Sequence, residues 1–174
     1  ADWDKVKIDK AAVDKEQEDI LKAQKKLKEE QSKIVECQGN DHKKWTNCKG
    51  SFKADTGHSY DGIFKDGDMP DGISLYPGGA KYIGQFKNDH YNGQGIGILP
   101  NGTRYEGQWI DSNPDGDGLM SFPNGDRYEG HFQIGQYNGS GLLTYSDGSQ
   151  YNGVWKDGLK NGKAIIKLNN GDQF

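Results

Sequence analysis

Aromatic residues and glycines alternate at a fixed interval through the last two-thirds of the chain. Each period contains a Tyr-x-Gly-x-aromatic segment, and both aromatics lie on one face of a strand because side chains alternate along a strand. The leading position is occupied by Tyr60, Tyr82, Tyr105, Tyr128, Tyr151 and Phe174. The first interval is 22 residues and each later interval is 23. This period predicts one small supersecondary unit that is copied and stacked.

Each unit is predicted to be one hairpin of two short strands. Gly107 falls between Tyr105 and Trp109 on the same strand face. Because glycine weakens a strand unless a ring or backbone must come close, we expect an aromatic from the neighbouring unit to rest there. Residues 110–116 have turn composition, and a second strand is expected at 119–122 before a Pro-Asn-Gly turn. An isolated hairpin is marginal in water, so the hairpins should pair side by side.

The amino-terminal segment follows a different pattern. Residues 4–35 contain neither glycine nor proline and are rich in Lys, Glu, Gln and Ala, which predicts a long helix. Apolar residues occupy every seventh position, at Val6, Val13, Ile20, Leu27 and Ile34. A coiled coil has two apolar positions in each heptad, but here the second position is mostly glutamine. The helix is therefore poorly stabilised alone and needs a partner. Two interpretations stay open: the helix packs on its own repeat sheet, or it binds a neighbouring subunit.

The predicted fold class is therefore mainly β, with one long α-helix at the amino terminus. The β part is an elongated antiparallel meander of about five to six stacked β-hairpins. The predicted domains are an anchoring helix over residues 1–36, a linker over 37–47 and the repeat array over 48–174.

The repeat pattern resembles the MORN repeat (membrane occupation and recognition nexus). The resemblance is carried by Tyr-x-Gly-x-Trp/Phe, a glycine-containing turn and Gly-x-Gly, over about residues 48–174. Residues 101–124 are close to the family consensus. The resemblance implies an all-β array of hairpins that holds proteins or, in some reports, lipids. It implies no enzymatic activity, because catalytic members of the family carry a separate catalytic domain.

The compartment is predicted from the cysteines and the start of the chain. The sequence begins at Ala1 without methionine, and residues 45–50 resemble the lead-in of exported bacterial MORN proteins. Both observations favour an exported protein, in a periplasm, an extracellular space or an organelle lumen. In that setting Cys37 and Cys48 form a disulfide, whereas in a cytosolic protein they are two free thiols.

Charge restricts the partners. Residues 1–47 carry 11 basic and 11 acidic side chains, and residues 48–174 carry 11 basic and 15 acidic ones. An acidic repeat array disfavours nucleic acid and anionic lipid, so no nucleic acid partner is expected and membrane contact is at most peripheral. The histidines lack metal-ligand spacing, so no catalytic residue, metal or cofactor is predicted.

The aromatic columns are both the predicted core and the candidate site. The ten positions are Tyr60, Phe64, Tyr82, Phe86, Tyr105, Trp109, Tyr128, Phe132, Tyr151 and Trp155. Most should pack between repeats, while a subset lines an open groove, because tyrosine and tryptophan are favoured at binding hot spots.

Two functional hypotheses follow from these patterns. The first is a non-enzymatic protein-binding scaffold, or a structural subunit of a larger complex of proteins. Its interaction surfaces are the repeat ribbon and the helix, through which a homo-oligomer could also form. The alternative is a module that binds cell-wall glycan or a lipid headgroup through exposed aromatics.

Overall fold

The computed structural model of the chain describes residues 34–174. The chain divides into two compact units, Ala1–Glu36 and Cys37–Phe174. The described end of the first unit is strand β1 (Val35–Glu36). The second unit opens with a 3₁₀-helical turn, His42–Lys44, which is capped by Asp41. The Asp41 carboxylate accepts a hydrogen bond from the backbone N–H of Lys43 at 3.3 Å.

The rest of the second unit is an antiparallel meander. Consecutive strands of this unit are hydrogen-bonded to one another, without crossovers. The strands are β2 (Cys48–Lys53), β3 (Ser59–Lys65), β4 (Asp68–Leu75), β5 (Lys81–Lys87), β6 (His90–Ile98), β7 (Arg104–Ile110), β8 (Asn113–Ser121), β9 (Arg127–Gln133), β10 (Gln136–Thr144), β11 (Gln150–Lys156) and β12 (Leu159–Lys167). Each 23-residue period supplies two strands, which confirms the predicted hairpin array.

Two kinds of turn alternate along the meander. One is a two-residue turn such as Asn88 and Asp89, whose φ angles are 51° and 63°. Positive φ at both positions is the geometry that joins two twisted strands most tightly. The other turn is closed by the glycine that leads each period: the N–H of Gly102 donates to the carbonyl of Leu99 at 2.9 Å. Gly102 has φ +87°, which explains why glycine recurs at this position.

The prediction of a long turn over residues 110–116 is wrong. The turn consists only of Asp111 and Ser112, and β8 already begins at Asn113. The pairing of β7 with β8 shifts register between Gly107 and Trp109, so β8 accommodates two extra residues as a bulge. The Pro-Asp-Gly composition that suggested a turn therefore belongs to a bulged strand, and the second strand is longer than the predicted 119–122.

The predicted fold class is also wrong in its helix. The described residues 34–174 are all β, apart from the 3₁₀ turn, and none of them forms an α-helix. The predicted helix over 1–36, with its apolar column at Val6, Val13, Ile20 and Leu27, lies outside the described residues except at its last three positions. There Ile34 forms a bend and the next two residues form β1. No described helix is long and apolar enough to cross a membrane.

Residues 37–47, predicted as a linker, belong to the compact second unit. A disulfide joins Cys37 to Cys48 at a sequence separation of 11, and the N–H of Cys37 donates to the carbonyl of Lys49 at 2.8 Å. The closed loop holds Trp45 in the core, edge-on to Phe64 at 4.9 Å between ring centroids. Closing a loop of this length stabilises the fold by roughly 2–3 kcal/mol, chiefly by restricting the unfolded chain.

The core is one layer of rings on one face of the sheet, here called the aromatic face. Its buried hydrophobic residues are Trp45, Cys48, Phe64, Met69, Tyr82, Phe86, Tyr105, Trp109, Tyr128, Phe132, Tyr151 and Trp155. The alternating residues of the same strands, such as Glu106 and Gln108, are solvent-exposed on the other side, here called the open face. The predicted placement of Tyr105 and Trp109 on one face is thus confirmed.

Candidate functional site

Tyr128 shows how the rings of successive repeats lock together. Its ring is edge-on to Phe132 of the same strand, with centroids 5.2 Å apart. It stacks on Tyr137 of the next strand at 3.7 Å and 11°. It also meets Trp155 of the next repeat edge-on at 5.3 Å. Tyr82 is packed in the same way, and such stacked and edge-on contacts add to the free energy of burial.

The glycines between the aromatics make room for these tyrosines. A Cβ added at Gly118 would lie 2.5 Å from the ring of Tyr105, and one added at Gly107 would lie 2.7 Å from the same tyrosine's Oη. The prediction that Gly107 receives a ring from the neighbouring unit is therefore wrong: Tyr105 of its own strand lies over it. The hydroxyl of Tyr105 donates to the carbonyl of Gln108 at 2.9 Å, which fixes the ring in this position. The contact between repeats is made instead at Gly97, where a Cβ would lie 2.8 Å from Trp109.

The first repeat, which begins at Tyr60, is packed differently. A Cβ added at Gly62 would lie 2.8 Å from the sulfur of Met69 instead of meeting a tyrosine. Tyr60 is only half-buried, and its ring stacks on Phe52 at 4.8 Å and 14°. Phe52 in turn stacks on His42 at 3.9 Å and 4°. We call this set of three rings, His42, Phe52 and Tyr60, the ring stack.

A cavity of about 290 Å³ opens beside the ring stack. Its apolar lining is completed by Phe64, Met69 and Phe86, and its polar lining includes Lys43 and Asp89. The Nζ atom of Lys43 lies 3.0 Å from Oδ2 of Asp89, and both side chains are exposed. The cavity is therefore apolar inside and carries an ion pair on its exposed lining.

The repeat that begins at Tyr60 lacks a ring that two other repeats have, at a position beside the cavity. Tyr91 and Tyr137 are the second residues of β6 and β10, and they stack on Tyr82 and Tyr128. The second residue of β4 is Met69, whose sulfur lies over the glycines of its own repeat. Tyr60 consequently has no tyrosine from the following strand stacked on it. An aromatic side chain from another molecule could occupy this position.

Burial sets the electrostatics of the aromatic face. Loss of hydration of the charged form raises the pKa of Tyr105, Tyr128 and Tyr137 to about 12. Burial likewise raises the pKa of Tyr82 and of Tyr91. The pKa of the less buried Tyr60 is also raised, first by desolvation and then by Tyr76 and Asp89. These hydroxyls therefore stay neutral at physiological pH and act as hydrogen-bonding groups.

The stability of the protein is expected to fall above about pH 10. The pKa values near 12 in the fold compare with an ordinary value of 10.0, so above pH 10 the unfolded chain releases protons that the folded chain keeps. The stabilising contribution is complete below pH 10 and is lost as the pH approaches 12. Urea unfolding at successive alkaline pH values would show the decline. The prediction would be contradicted if absorbance showed all tyrosines to be ionised while the free energy of unfolding stayed unchanged.

The four histidines are not gathered in one place. His42 belongs to the ring stack, whereas His58 packs against Tyr76 with centroids 4.1 Å apart. Nδ1 of His90 lies 2.7 Å from the carbonyl of Asn88, and Nδ1 of His131 lies 3.0 Å from a carboxylate oxygen of Asp117. Within residues 34–174 no group of three or more His, Cys, Asp or Glu side chains could hold a metal ion.

The structure separates the ten predicted aromatic positions into two groups. Nine are buried in the ring layer, and Tyr60 is half-buried. Of the ten, only Tyr60, Phe64 and Phe86 also line the cavity. Sequence reasoning missed His42, Phe52 and Met69, which lie outside the Tyr-x-Gly-x-aromatic segment. It also missed Tyr91 and Tyr137, although their separation by two periods was a usable signal.

Comparison with known families identifies the repeat. A family model described as MORN repeat matches residues 82–104, 105–127, 128–150 and 151–173. These four consecutive matches cover more than half of the chain. They begin at the same tyrosines as the structural repeats, and they carry no information on organism or export. A search of curated proteins found no match.

Two solved structures show a weak likeness. One is the SAS-4 (dCPAP) TCP domain of Drosophila melanogaster in complex with a proline-rich motif of Ana2 (dSTIL), with 16% identity, coverage of 72% of this chain and 81% of that chain, and a TM-score of 0.40. The other is the TCP10 domain of Danio rerio CPAP in complex with a STIL peptide, with 21% identity, coverage of 71% and 69%, and a TM-score of 0.21. At these scores the likeness does not bear on function.

Proposed function

The chain belongs to the MORN repeat family, and we propose that it is a non-enzymatic protein-binding scaffold within a larger assembly. The repeats form a rigid ring-packed sheet, and the cavity beside the ring stack receives a large apolar side chain of a partner protein. Neither role requires a cofactor. The cavity is the observation that carries this proposal.

The cavity has the properties of an interface hot spot. Its walls are aromatic rings already held in position by the fold, so few side chains lose freedom when a partner binds. Such preformed apolar pockets, filled by one anchoring side chain, supply most of the affinity in many interfaces. The Lys43–Asp89 ion pair supplies the polar rim that usually surrounds an anchor.

The geometry favours a flat anchoring side chain. A ring that enters the cavity can pack on Tyr60 as Tyr91 packs on Tyr82, where the centroids are 3.7 Å apart. A phenylalanine, tyrosine or tryptophan of the partner fits this role because offset stacking favours parallel rings. The remaining lining, including Met69, adapts to different side chains because a thioether is flexible and polarisable.

The test uses a random peptide library displayed on phage. Peptides selected on the wild-type protein should contain an aromatic anchor and should bind Phe52→Ala at least roughly tenfold more weakly, because a wall of the cavity is missing. Met120→Ala is the matched control: Met120 pairs with Tyr128 as Phe52 pairs with Tyr60, and it does not line the cavity. The control should bind the same peptides with unchanged affinity.

Two outcomes would contradict the proposal. One is equal binding of the selected peptides by both variants, and the other is failure to select any peptide on the wild-type protein. A glycan array probed with the same proteins distinguishes glycan binding, the alternative function, from protein binding. Glycan binding that is lost in Phe52→Ala and kept in Met120→Ala would favour a glycan-binding module.

We also propose that the protein works in an oxidising compartment outside the cytosol. The Cys37–Cys48 disulfide supports this location, because structural disulfides persist in exported proteins and are rare in reducing compartments. Thiol labelling of the protein in its native source would test it. Two freely labelled cysteines would refute it.

A further inference from the structure

The basic residues of the repeat array are collected on the open face. The strand registers place ten of the eleven lysines and arginines of residues 48–174 on this side of the sheet. They are Lys49, Lys53, Lys65, Lys81, Lys87, Arg104, Arg127, Lys156, Lys163 and Lys167. The exception is Lys160, whose Nζ lies 4.5 Å from the ring centroid of Tyr151 on the aromatic face. The same registers place Asp61, Asp68, Asp71, Glu106, Asp117 and Glu129 on this side. The strands of the open face therefore carry more basic than acidic side chains, although the formal net charge of the whole chain is −4.

Three of these residues form a line across the strands. The cross-strand pairs join, in order, Leu75, Lys81, Ile98, Arg104, Ser121 and Arg127 on strands β4 to β9. We call this line the basic row. Neighbouring strands are about 4.8 Å apart, so its positive charges recur about every 10 Å, with an apolar or hydroxyl side chain between them.

The basic row is available for an ionic partner. It contains no acidic residue, and Leu75 in the row is exposed. Within the described part of the chain, Lys81 and Arg127 have no ion pair. Arg104 is paired with Glu106 at 2.7 Å, and both side chains are partly exposed. Solvent-exposed ion pairs of this kind contribute little to the free energy of folding. A carboxylate of a partner can therefore compete with Glu106 for Arg104.

We propose that the basic row binds an acidic α-helical segment of a partner protein, laid across the strands of the open face. A helix rises 1.5 Å per residue, so carboxylates at every seventh position recur about every 10.5 Å. Apolar residues three or four positions further on fall between the carboxylates. This spacing matches the alternation of basic and apolar side chains in the row. The site lies on the opposite face from the cavity, so this inference is independent of the proposed function.

The mixed charge of the open face favours a protein over a nucleic acid or a membrane. The row next to the basic row contains Glu106 and Glu129, and the row beyond it contains Asp71 and Asp117. A phosphate backbone or an anionic bilayer presents continuous negative charge, which these carboxylates repel. A helix can place its acidic residues opposite the basic row and leave neutral residues opposite the carboxylates.

The probe is a synthetic alanine-rich helical peptide with glutamate at every seventh position and leucine between the glutamates. Fluorescence anisotropy should show binding that weakens as salt is added. Reversing the row with Lys81→Glu, Arg104→Glu and Arg127→Glu should weaken binding at least roughly tenfold. The matched control carries Lys49→Glu, Lys65→Glu and Lys156→Glu, which change the net charge equally on the same face but outside the row. It should bind with less than about threefold loss.

Further variants and ligands distinguish an acidic helix from other molecules that could bind the basic row. Glu106→Gln should strengthen peptide binding, because Arg104 loses its competing carboxylate. Phe52→Ala should bind the acidic peptide like wild type, so a failed cavity and a failed basic row give different results. The proposal is overturned if wild type does not bind the peptide, if the control triple loses as much affinity as the row triple, or if the row selectively binds single-stranded DNA or phosphatidylserine vesicles instead.

Discussion

Replacing Gly141 by alanine should destabilise the protein by roughly 3 kcal/mol, at the upper end of the cost of overpacking a core. The added Cβ would lie 2.5 Å from Cζ of Tyr128. The ring cannot withdraw, because Tyr128 is 0% exposed and is held by Tyr137 on one side and Trp155 on another. Relief would require the ring layers of two repeats to shift together.

Equilibrium urea unfolding would measure this loss, with Gly78→Ala as the control. Gly78 has nothing within 4 Å of an added Cβ and no positive φ. Its replacement should therefore change stability little, or raise it by a few tenths of a kcal/mol through the unfolded state. If both glycine variants unfold at the same urea concentration, the tight fit of Tyr128 over Gly141 is wrong.

Replacing Trp109 by alanine should cost roughly 3–5 kcal/mol, the usual penalty for removing a buried aromatic ring. Trp109 is 8% exposed and lies edge-on to Tyr82 at 5.2 Å and to Tyr105 at 5.1 Å, so it links two repeats. Its indole N–H also donates to the carbonyl of Gly95 at 3.1 Å. The variant loses both the ring contacts and this hydrogen bond.

Ile110→Ala is the neighbouring control for Trp109→Ala. Ile110 lies on the open face and is 51% exposed, so its truncation should stay within about 0.5 kcal/mol of wild type. Thermal and urea unfolding of the two variants would show the difference. A Trp109→Ala protein as stable as wild type that no longer binds a glycan would assign this ring to ligand binding instead of packing.

The sequence was sufficient to predict the meander and its ring layer. Alternation alone placed Tyr105 and Trp109 on one face, and the 23-residue period from Tyr82 onward predicted the same geometry in each of those repeats. These features were predictable because they repeat: an error at one position is corrected by the same column in the next unit.

The features that the sequence did not predict are those that occur once or depend on local detail. Turn-like residues around Pro114 lie in a bulged strand, because composition does not separate a turn from a bulge. The cavity is lined by Phe52 and His42, which lie outside the period, and by Met69, which stands where two other repeats have a tyrosine. The predicted long helix was inferred from composition, which carries no information about the extended chain that precedes Cys37.

Because each period contains an even number of strands, the array can lengthen or shorten by whole repeats. Adding or removing one 23-residue unit preserves which side chains face each way, because two strands restore both chain direction and alternation. The separation between the cavity and the far end of the basic row can therefore change by whole units of about 10 Å, while the lengthened row keeps its side chains on the open face. Duplication of a single unit would thus adjust the spacing of two bound partners while leaving their binding sites intact.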